Sequence, residues 1–259
     1  MNYRIESMDG RPTELSNPEY ESGPIEILSL DEIKAEAATI VTSLQQPGAD
    51  TKMFAKRLDI LFSMASGLDP LCDKVANKRL FNQRLEEEVY RAQRTNEPLS
   101  AIILDLDNFR EINNTHGHLE GDKYLRKVAQ LLREGVKKSD TVARTGGDEF
   151  AILLPNTSLV RAIVVTSRIL QQDLPASIGI AQLAPNERAE AFLERADKTG
   201  LYTAKRQGKG IIGLVLNKEQ NFSISGLHSH ILNDPSIEPD NKTNLIEYTL
   251  NNTILIPAA

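Results

Sequence analysis

One cysteine, no long apolar run and no excess of basic residues set the first limits on this 259-residue chain. Cys72 stands alone, so no intramolecular disulfide can form and a reducing cytosol is the natural compartment. No stretch approaches the ~18 apolar residues needed to cross a bilayer. The opening "MNYRIESMDGRPTELSNPEYESG" also lacks an apolar targeting core, so a cytoplasmic protein without membrane insertion is expected. Lys and Arg number 30 against 36 Asp and Glu, giving a net charge of -6. That balance argues against gripping a nucleic-acid polymer by its phosphates, which needs a basic face, yet a few local cations suffice for one nucleotide.

What is present is enough apolar material, 40% of residues, for a real core. Residues 1–28 are polar and carry Pro12, Pro18 and Pro24, the composition of a flexible tail. Residues 29–68 hold two amphipathic helices. Ile33, Ala37, Ile40, Val41 and Leu44 recur at helical intervals in the first, and Phe54, Leu58, Leu61, Phe62 and Ala65 in the second. A pair of this kind forms a cap on a neighbouring domain or a dimerising or partner-binding element.

From residue 69 to 216 the pattern alternates. Helices are expected over 78–94, 119–134, 158–171 and 187–206, with strands at "LSAIILDLD", "ASIGIAQL" and "IIGLVL" and a hairpin around Gly146. This reads as an α/β or α+β domain. Residues 217–259 form an Asn-rich extension whose role the residues do not disclose. Its "HSH" at 228–230 is a weak metal signal, because no acidic or cysteine partner stands at ligand spacing.

Two acidic pairs carry the chemistry. Asp105 and Asp107 end a strand with period-two spacing, so both project to one face, though Asp-x-Asp alone is more often a solvated strand end. Asp148 and Glu149 follow Gly146 and Gly147 in "ARTGGDEFAILLP", where paired glycines signal a turn that uses their freedom at positive φ. If the hairpin lies beside the strand, the four carboxylates crowd together and repel by about 1 to 4 kcal/mol per pair at 4 Å. Such a cluster favours a divalent cation. With oxygen-only ligands that cation is Mg²⁺, which commonly arrives with substrate phosphates, and Mn²⁺ is the alternative.

"DLDNFREINNTHGHLEGDKYL" followed by "ARTGGDEF" and "ASIGIA" resembles the GGDEF family, the diguanylate cyclases. The resemblance implies a palm-like domain with a central mixed, largely antiparallel sheet flanked by helices, here preceded by a short helical segment. It implies a homodimer in which each domain holds one GTP, the pair being condensed into cyclic di-GMP and two pyrophosphates. Carried over by position, Asp105, the Leu106 carbonyl and Asp148 would hold the metal, Asp148 would also take the hydroxyl proton, and Glu149 would support the metal site. Asn113 and Asp122 would read guanine with His118 beside them, Gly146 and Gly147 would admit the triphosphate, and Arg110, Lys205 and Lys209 would bind phosphates. Without the family, Asp122 is a helix-start acid, Asn113 a loop cap and the three cations solvated helix charges. A second expectation stays open beside the enzyme: a catalytically weak or inactive module that binds GTP or cyclic di-GMP and signals through a protein partner.

Four departures from the family pattern stand out. The opening motif appears as "DPLCDKVANKR", one residue longer and with Cys72 and Asp73 in place of Thr-Gly. The helix "ADKTGLYTAK" also carries an extra residue and Gly200; one insertion rotates a helix by about 100°, so Asp197 and Lys205 keep a common facing only if a bulge absorbs it. The segment before "ASIGIA" is short, which suggests a trimmed sheet edge. The family's inhibitory Arg-x-x-Asp appears as "KKSD", with Lys137 at the arginine position and Asp140 kept, so feedback by product is expected to be weak because lysine lacks the planar guanidinium fork. Residues 1–68 leave no room for a sensor domain of ordinary size, which points to control by a regulatory protein partner, by oligomerisation or by expression.

Overall fold

The computed structural model describes residues 30–44, 51–170, 172, 174–207, 210–215, 229, 231–233, 242 and 253–256. The expected tail over 1–28, Lys209, and His228 and His230 of the "HSH" stretch lie outside the described residues. The chain divides between Ala65 and Ser66 into two compact units.

The first unit holds α1 (Leu30–Leu44) and α2 (Thr51–Ser66), the latter ending at the boundary. Ile40, Phe54 and Leu61 are buried together, with Ile33, Ala37 and Leu58 against them, and Arg57 pairs with Glu36. Val41 and Phe62 were expected on the apolar faces. They are instead 53% and 67% exposed, because a small helix pair buries only a narrow stripe of each helix.

The second unit is built on a seven-stranded mixed sheet in the order β1-β3-β4-β2-β5-β6-β7. Its strands are β1 (Ala76–Asn77), β2 (Leu99–Leu106), β3 (Thr141–Arg144), β4 (Glu149–Pro155), β5 (Ala176–Gln182), β6 (Ile212–Val215) and β7 (Thr253–Ile256). The centre is antiparallel: β2 pairs through seven residues with β4 and seven with β5. The outer pairings, β1 with β3, β5 with β6 and β6 with β7, are parallel.

Strand alternation sorts the core into two layers. Ile102, Leu104, Leu106, Phe150, Ile152 and Leu154 face one side, where α4 (Phe109–His116), α5 (His118–Gly135) and α6 (Leu159–Leu170) contribute. Leu99, Ala101, Ile103, Ala151 and Leu153 face the other, against α3 (Lys78–Thr95) and the segment from α7 (Ala189–Glu194) onward. Helix α3 shows why its sequence folds so: Asn77 caps it by accepting from Leu80 N–H at 3.0 Å, and Phe81, Leu85, Val89 and Ala92 repeat at helical spacing into the core. Phe81 is fully buried, worth about 1.5 to 3 kcal/mol.

The helix expected over 187–206 is three pieces: α7, a π-helix over Arg195–Leu201, and α8 (Tyr202–Gln207). The wider π turn absorbs the extra residue. Arg195 anchors its start with a fork to Glu187, at 2.6 and 2.7 Å, and a bond to the Gln182 carbonyl. Gly200 is there because the turn lies directly on the sheet: a Cβ added to it would stand 2.9 Å from Gly179 Cα and 3.1 Å from the Gly213 carbonyl. Gly179 and Gly213 answer in kind, each meeting π-helix backbone where its own Cβ would be.

Among the described residues the sheet lacks a strand where one was expected to be missing and gains one elsewhere. Among the described residues no strand lies between α6 and β5, but β6 and β7 continue the sheet beyond β5. The C-terminal extension supplies β7, and Ile231, 1% exposed, joins the larger core layer. The inserted residue of the opening motif also finds a place. Cys72 and Val75 stay fully buried, while Asp73 and Lys74 form an exposed tip with Lys74 at φ 60°.

Gly179→Ala should destabilise the protein by about 1 to 3 kcal/mol through overpacking against π-helix backbone, read as a lower denaturation midpoint in urea. Gly147→Ala, which opens onto free space, should leave the midpoint in place.

Candidate functional site

Strand β2, central in the sheet, carries Asp105 near its C-terminal end, opposite Glu149 of β4 and Ser177 of β5. Asp105 is half-buried, and Lys205 Nζ from α8 stands 2.7 Å from its Oδ2. The π turn therefore keeps Lys205 on the site despite the insertion. Desolvation raises the pKa of Asp105, opposed by Lys205 and assisted by the charges of Asp148 and Asp107. Glu149 is likewise held above the usual carboxylate range, first by desolvation, then by Asp105, Asp197 and Asp148. Asp197 thus adds to the acidic field from the π-helix; only the spacing of "ADKTGLYTAK" could have signalled it, and there the insertion left its facing open.

The turn carrying Asp148 is held from two sides. Leu106 N–H donates to the Asp148 carbonyl at 3.2 Å, tying the turn to the end of β2. Arg144 donates from Nε and Nη2 to the Gly147 carbonyl at 3.1 and 2.8 Å, and its Nη1 lies 3.5 Å from Asp69 Oδ2. Asp69 in turn accepts from Leu71 and Cys72 N–H, so the opening loop and the turn share one partly buried ion pair.

The glycines of the turn do not use the positive φ expected of them. Positive φ is found at Gly67, Gly117 and Gly210 but not at Gly146 or Gly147. At Gly146 a Cβ would lie 2.7 Å from Glu149 Oε2, so its absence lets the Glu149 carboxylate fold over the turn. Around Gly147 the corresponding space is open.

Asp107 does not join the cluster as expected. It lies past the end of β2, 8% exposed, with Oδ1 accepting from Ser177 Oγ and Oδ2 from Gly210 N–H, both at 2.9 Å. It is a clasp between β5 and the start of β6. With Asp107 spent and Lys205 on Asp105, the four-carboxylate crowd does not form, and among the described residues no three His, Cys, Asp or Glu groups converge to hold a metal ion. Asp105 and Asp148 remain hard oxygen donors at one end of the sheet, and the ammonium on Asp105 marks that carboxylate as a cation position. The donor set therefore fits a hard divalent cation.

The residues expected to contact the nucleoside lie on α4 and α5. Asn113 is inside α4, a helix the sequence pattern did not announce, and its carbonyl accepts from Gly117 N–H at 2.9 Å. Its side chain rests on Gly121 of α5, where a Cβ would collide with Oδ1, and Asp122 is the next residue of that helix. Gly117, at φ 83°, makes the reversal between the two helices. His118 and Arg110 are exposed at the starts of α5 and α4. Farther along, Lys137 is exposed, whereas Asp140 is buried and accepts from Lys137 N–H at 2.8 Å and Ser139 Oγ at 3.1 Å. Its carboxylate is engaged in closing its own turn.

Comparison with known proteins gives concordant matches for the fold. The family model described as "Diguanylate cyclase, GGDEF domain" matches residues 66–210, more than half of the chain. Diguanylate cyclase DgcP of Pseudomonas aeruginosa is 38% identical over 182 residues, 65% of this chain and 26% of that protein. Diguanylate cyclase DosC of Escherichia coli is 39% identical over 162 residues, 57% of this chain and 35% of that protein. The chain thus spans about a quarter to a third of the length of these two relatives. Among solved structures, the GGDEF domain of DgcB from Caulobacter crescentus in complex with c-di-GMP superposes with a TM-score of 0.53 at 27% identity, covering 55% of this chain and 92% of that one. SiaD of Pseudomonas aeruginosa, solved with its activator SiaC, gives 0.53 at 29% identity over 70% and 74%.

The two strand-end aspartates should separate in a stability measurement. Asp107→Ala strands the Ser177 hydroxyl and the Gly210 N–H, at about 1 to 3 kcal/mol for each group left unpaired, and should lower the melting temperature. Asp105→Asn should melt at or above wild type at pH 7, because the folded state disfavours the Asp105 charge. The sign follows from linkage: a raised folded pKa costs stability as pH rises through it, so the advantage of the Asn variant should vanish below the ordinary carboxylate range.

Proposed function

We propose that this chain, which belongs to the GGDEF domain family, condenses two GTP into cyclic di-GMP and two pyrophosphates as a homodimer, each copy presenting one GTP. The observation that carries the reading is the 2.7 Å contact between Lys205 and Asp105, which keeps cation and carboxylates at one end of the sheet despite the insertion. The curated relatives named diguanylate cyclase support it at family level.

Asn113 and Asp122 suit guanine. A carboxylate accepts from N1–H and the exocyclic amine, whereas adenine presents an acceptor at N1, so GTP should be preferred over ATP by a charged hydrogen bond worth about 1.5 to 3 kcal/mol. His118 and Arg110 stand exposed at the helix starts where they can meet the nucleotide, and open space around Gly147 leaves the backbone accessible to the triphosphate. In the reaction the 3′-oxygen of one GTP forms a bond to the α-phosphorus of the other, the bond from that phosphorus to pyrophosphate breaks, and the hydroxyl proton passes to Asp148. The same step repeated in the opposite sense closes the ring. Asp105, the Leu106 carbonyl and Asp148 would hold Mg²⁺, or Mn²⁺, with Glu149 in support; when bound, that ion neutralises charge on the phosphates. Lys205, and Lys209 by sequence position, take the remaining phosphate charge. Catalysis here is positioning and electrostatic compensation. Control through a protein partner accords with a solved relative captured with its activator, and a cytoplasmic setting with the absence, among the described residues, of a helix long and apolar enough to cross a membrane.

Incubation of the pure protein with GTP and Mg²⁺, products being resolved by chromatography and mass, should yield cyclic di-GMP from wild type and none from Asp148→Ala. Silence from both folded proteins, with guanine nucleotide still bound in calorimetry, would convert the reading to a binding module.

Added cyclic di-GMP should leave the initial rate unchanged at micromolar concentrations, because Asp140 is buried in its own turn and Lys137 has no guanidinium. Inhibition that Lys137→Ala abolishes would contradict this.

A further inference from the structure

We infer that Lys205 acts as a resident counter-ion that must leave Asp105 before a divalent cation can bind there, so that the metal is admitted only together with a nucleoside triphosphate. The inference rests on the metal–nucleotide reading above and deepens it.

The geometry sets up a competition. Lys205 Nζ contacts Asp105 Oδ2 at 2.7 Å, while Asp148, Glu149 and Asp197 contribute to the same field. An ammonium and a divalent ion on one carboxylate would stand within a few ångströms of each other, and their repulsion exceeds that of two unit charges at the same distance. One must yield. The lysine is equipped to do so: it is 43% exposed, its charge is compact, and its four-carbon stem reaches from α8 without moving the helix. What draws it away is another anion. A triphosphate supplies several negative oxygens where the lysine can settle once the metal has taken Asp105, so nucleotide and metal entry reinforce each other. Free metal finds Asp105 occupied, and the other described carboxylates do not converge as a substitute.

Lys198 provides an internal control. It lies in the π-helix on the same segment and carries the same charge, but it pairs with Glu194 at 2.5 Å and makes no contact with Asp105. Its removal changes the general field without clearing the carboxylate.

The test is titration of the full-length, nucleotide-free protein with Mn²⁺, free ion being counted by electron paramagnetic resonance, with and without the α,β-methylene analogue of GTP. Wild type should bind Mn²⁺ weakly alone and much more tightly with the analogue. Lys205→Met should tighten binding of Mn²⁺ alone by roughly five- to tenfold, the order of a partly exposed ion pair, and should shrink the gain conferred by the analogue. Lys198→Met should behave as wild type. Lys205→Gln, with folding followed by circular dichroism, replaces the Met variant if that one does not fold. Unchanged Mn²⁺ affinity in the Lys205 variant, or an equal rise in the Lys198 variant, overturns the counter-ion role, and continued cyclic di-GMP synthesis by wild type would leave the enzyme reading standing. Absence of Mn²⁺ binding to wild type even with the analogue would overturn both.

Discussion

The close approach of backbone to backbone at Gly179, Gly200 and Gly213 is the constraint on which the site depends. Three glycines from β5, the π-helix and β6 let a helical turn sit on the sheet with no side chain between them. Ordinary helix-on-sheet packing would hold the two layers apart by a layer of side chains. Here the layer is missing at one place, and the helix dips toward the sheet. Arg195 fixes the entry to that dip through Glu187 and Gln182, and α8 leaves it with Lys205 directed at Asp105. A residue inserted in sequence is thereby converted into a local change of helical pitch, and the faces before and after it stay in phase.

The electrostatics of the site oppose stability. Asp105 and Glu149 are both held in environments that disfavour their charge, chiefly by desolvation and then by neighbouring carboxylates. A site chosen for stability alone would not leave Asp105 and Glu149 within the fields of Asp148 and Asp197 with Lys205 paired to Asp105 alone. Asp107, two residues from Asp105, shows the contrast: its two oxygens accept from Ser177 and Gly210, and it binds secondary structure together. Adjacent acids in one motif thus divide into one that stores electrostatic tension and one that relieves a packing need.

Much of this could be read from residues, and what could not has a physical cause. The long elements were legible because their apolar periodicity is strong: α3, β2, β4, α5 and β5 all lie near their expected bounds. Helix α4 was hidden by its length of eight residues and by a single buried apolar residue, Phe109. The positive φ expected at Gly146 and Gly147 is absent: glycine signals both unusual φ and the need for space, and only the folded chain distinguishes them. Asp107 was misplaced because period-two reasoning continues a strand past the residue where it ends. Strand β7 was invisible because its partner is distant in the chain, and a parallel pairing leaves no local turn signature.

That last pairing has a bearing on how the chain tolerates change. β6 ends at Val215 and β7 begins at Thr253, so the sheet's outer edge closes a loop of nearly forty residues. The entropy of closing a flexible loop grows only with the logarithm of its length, about 0.6 kcal/mol for each doubling. A longer connection between the two strands would therefore add little closure cost to the sheet, provided that Ile231 keeps its place in the core.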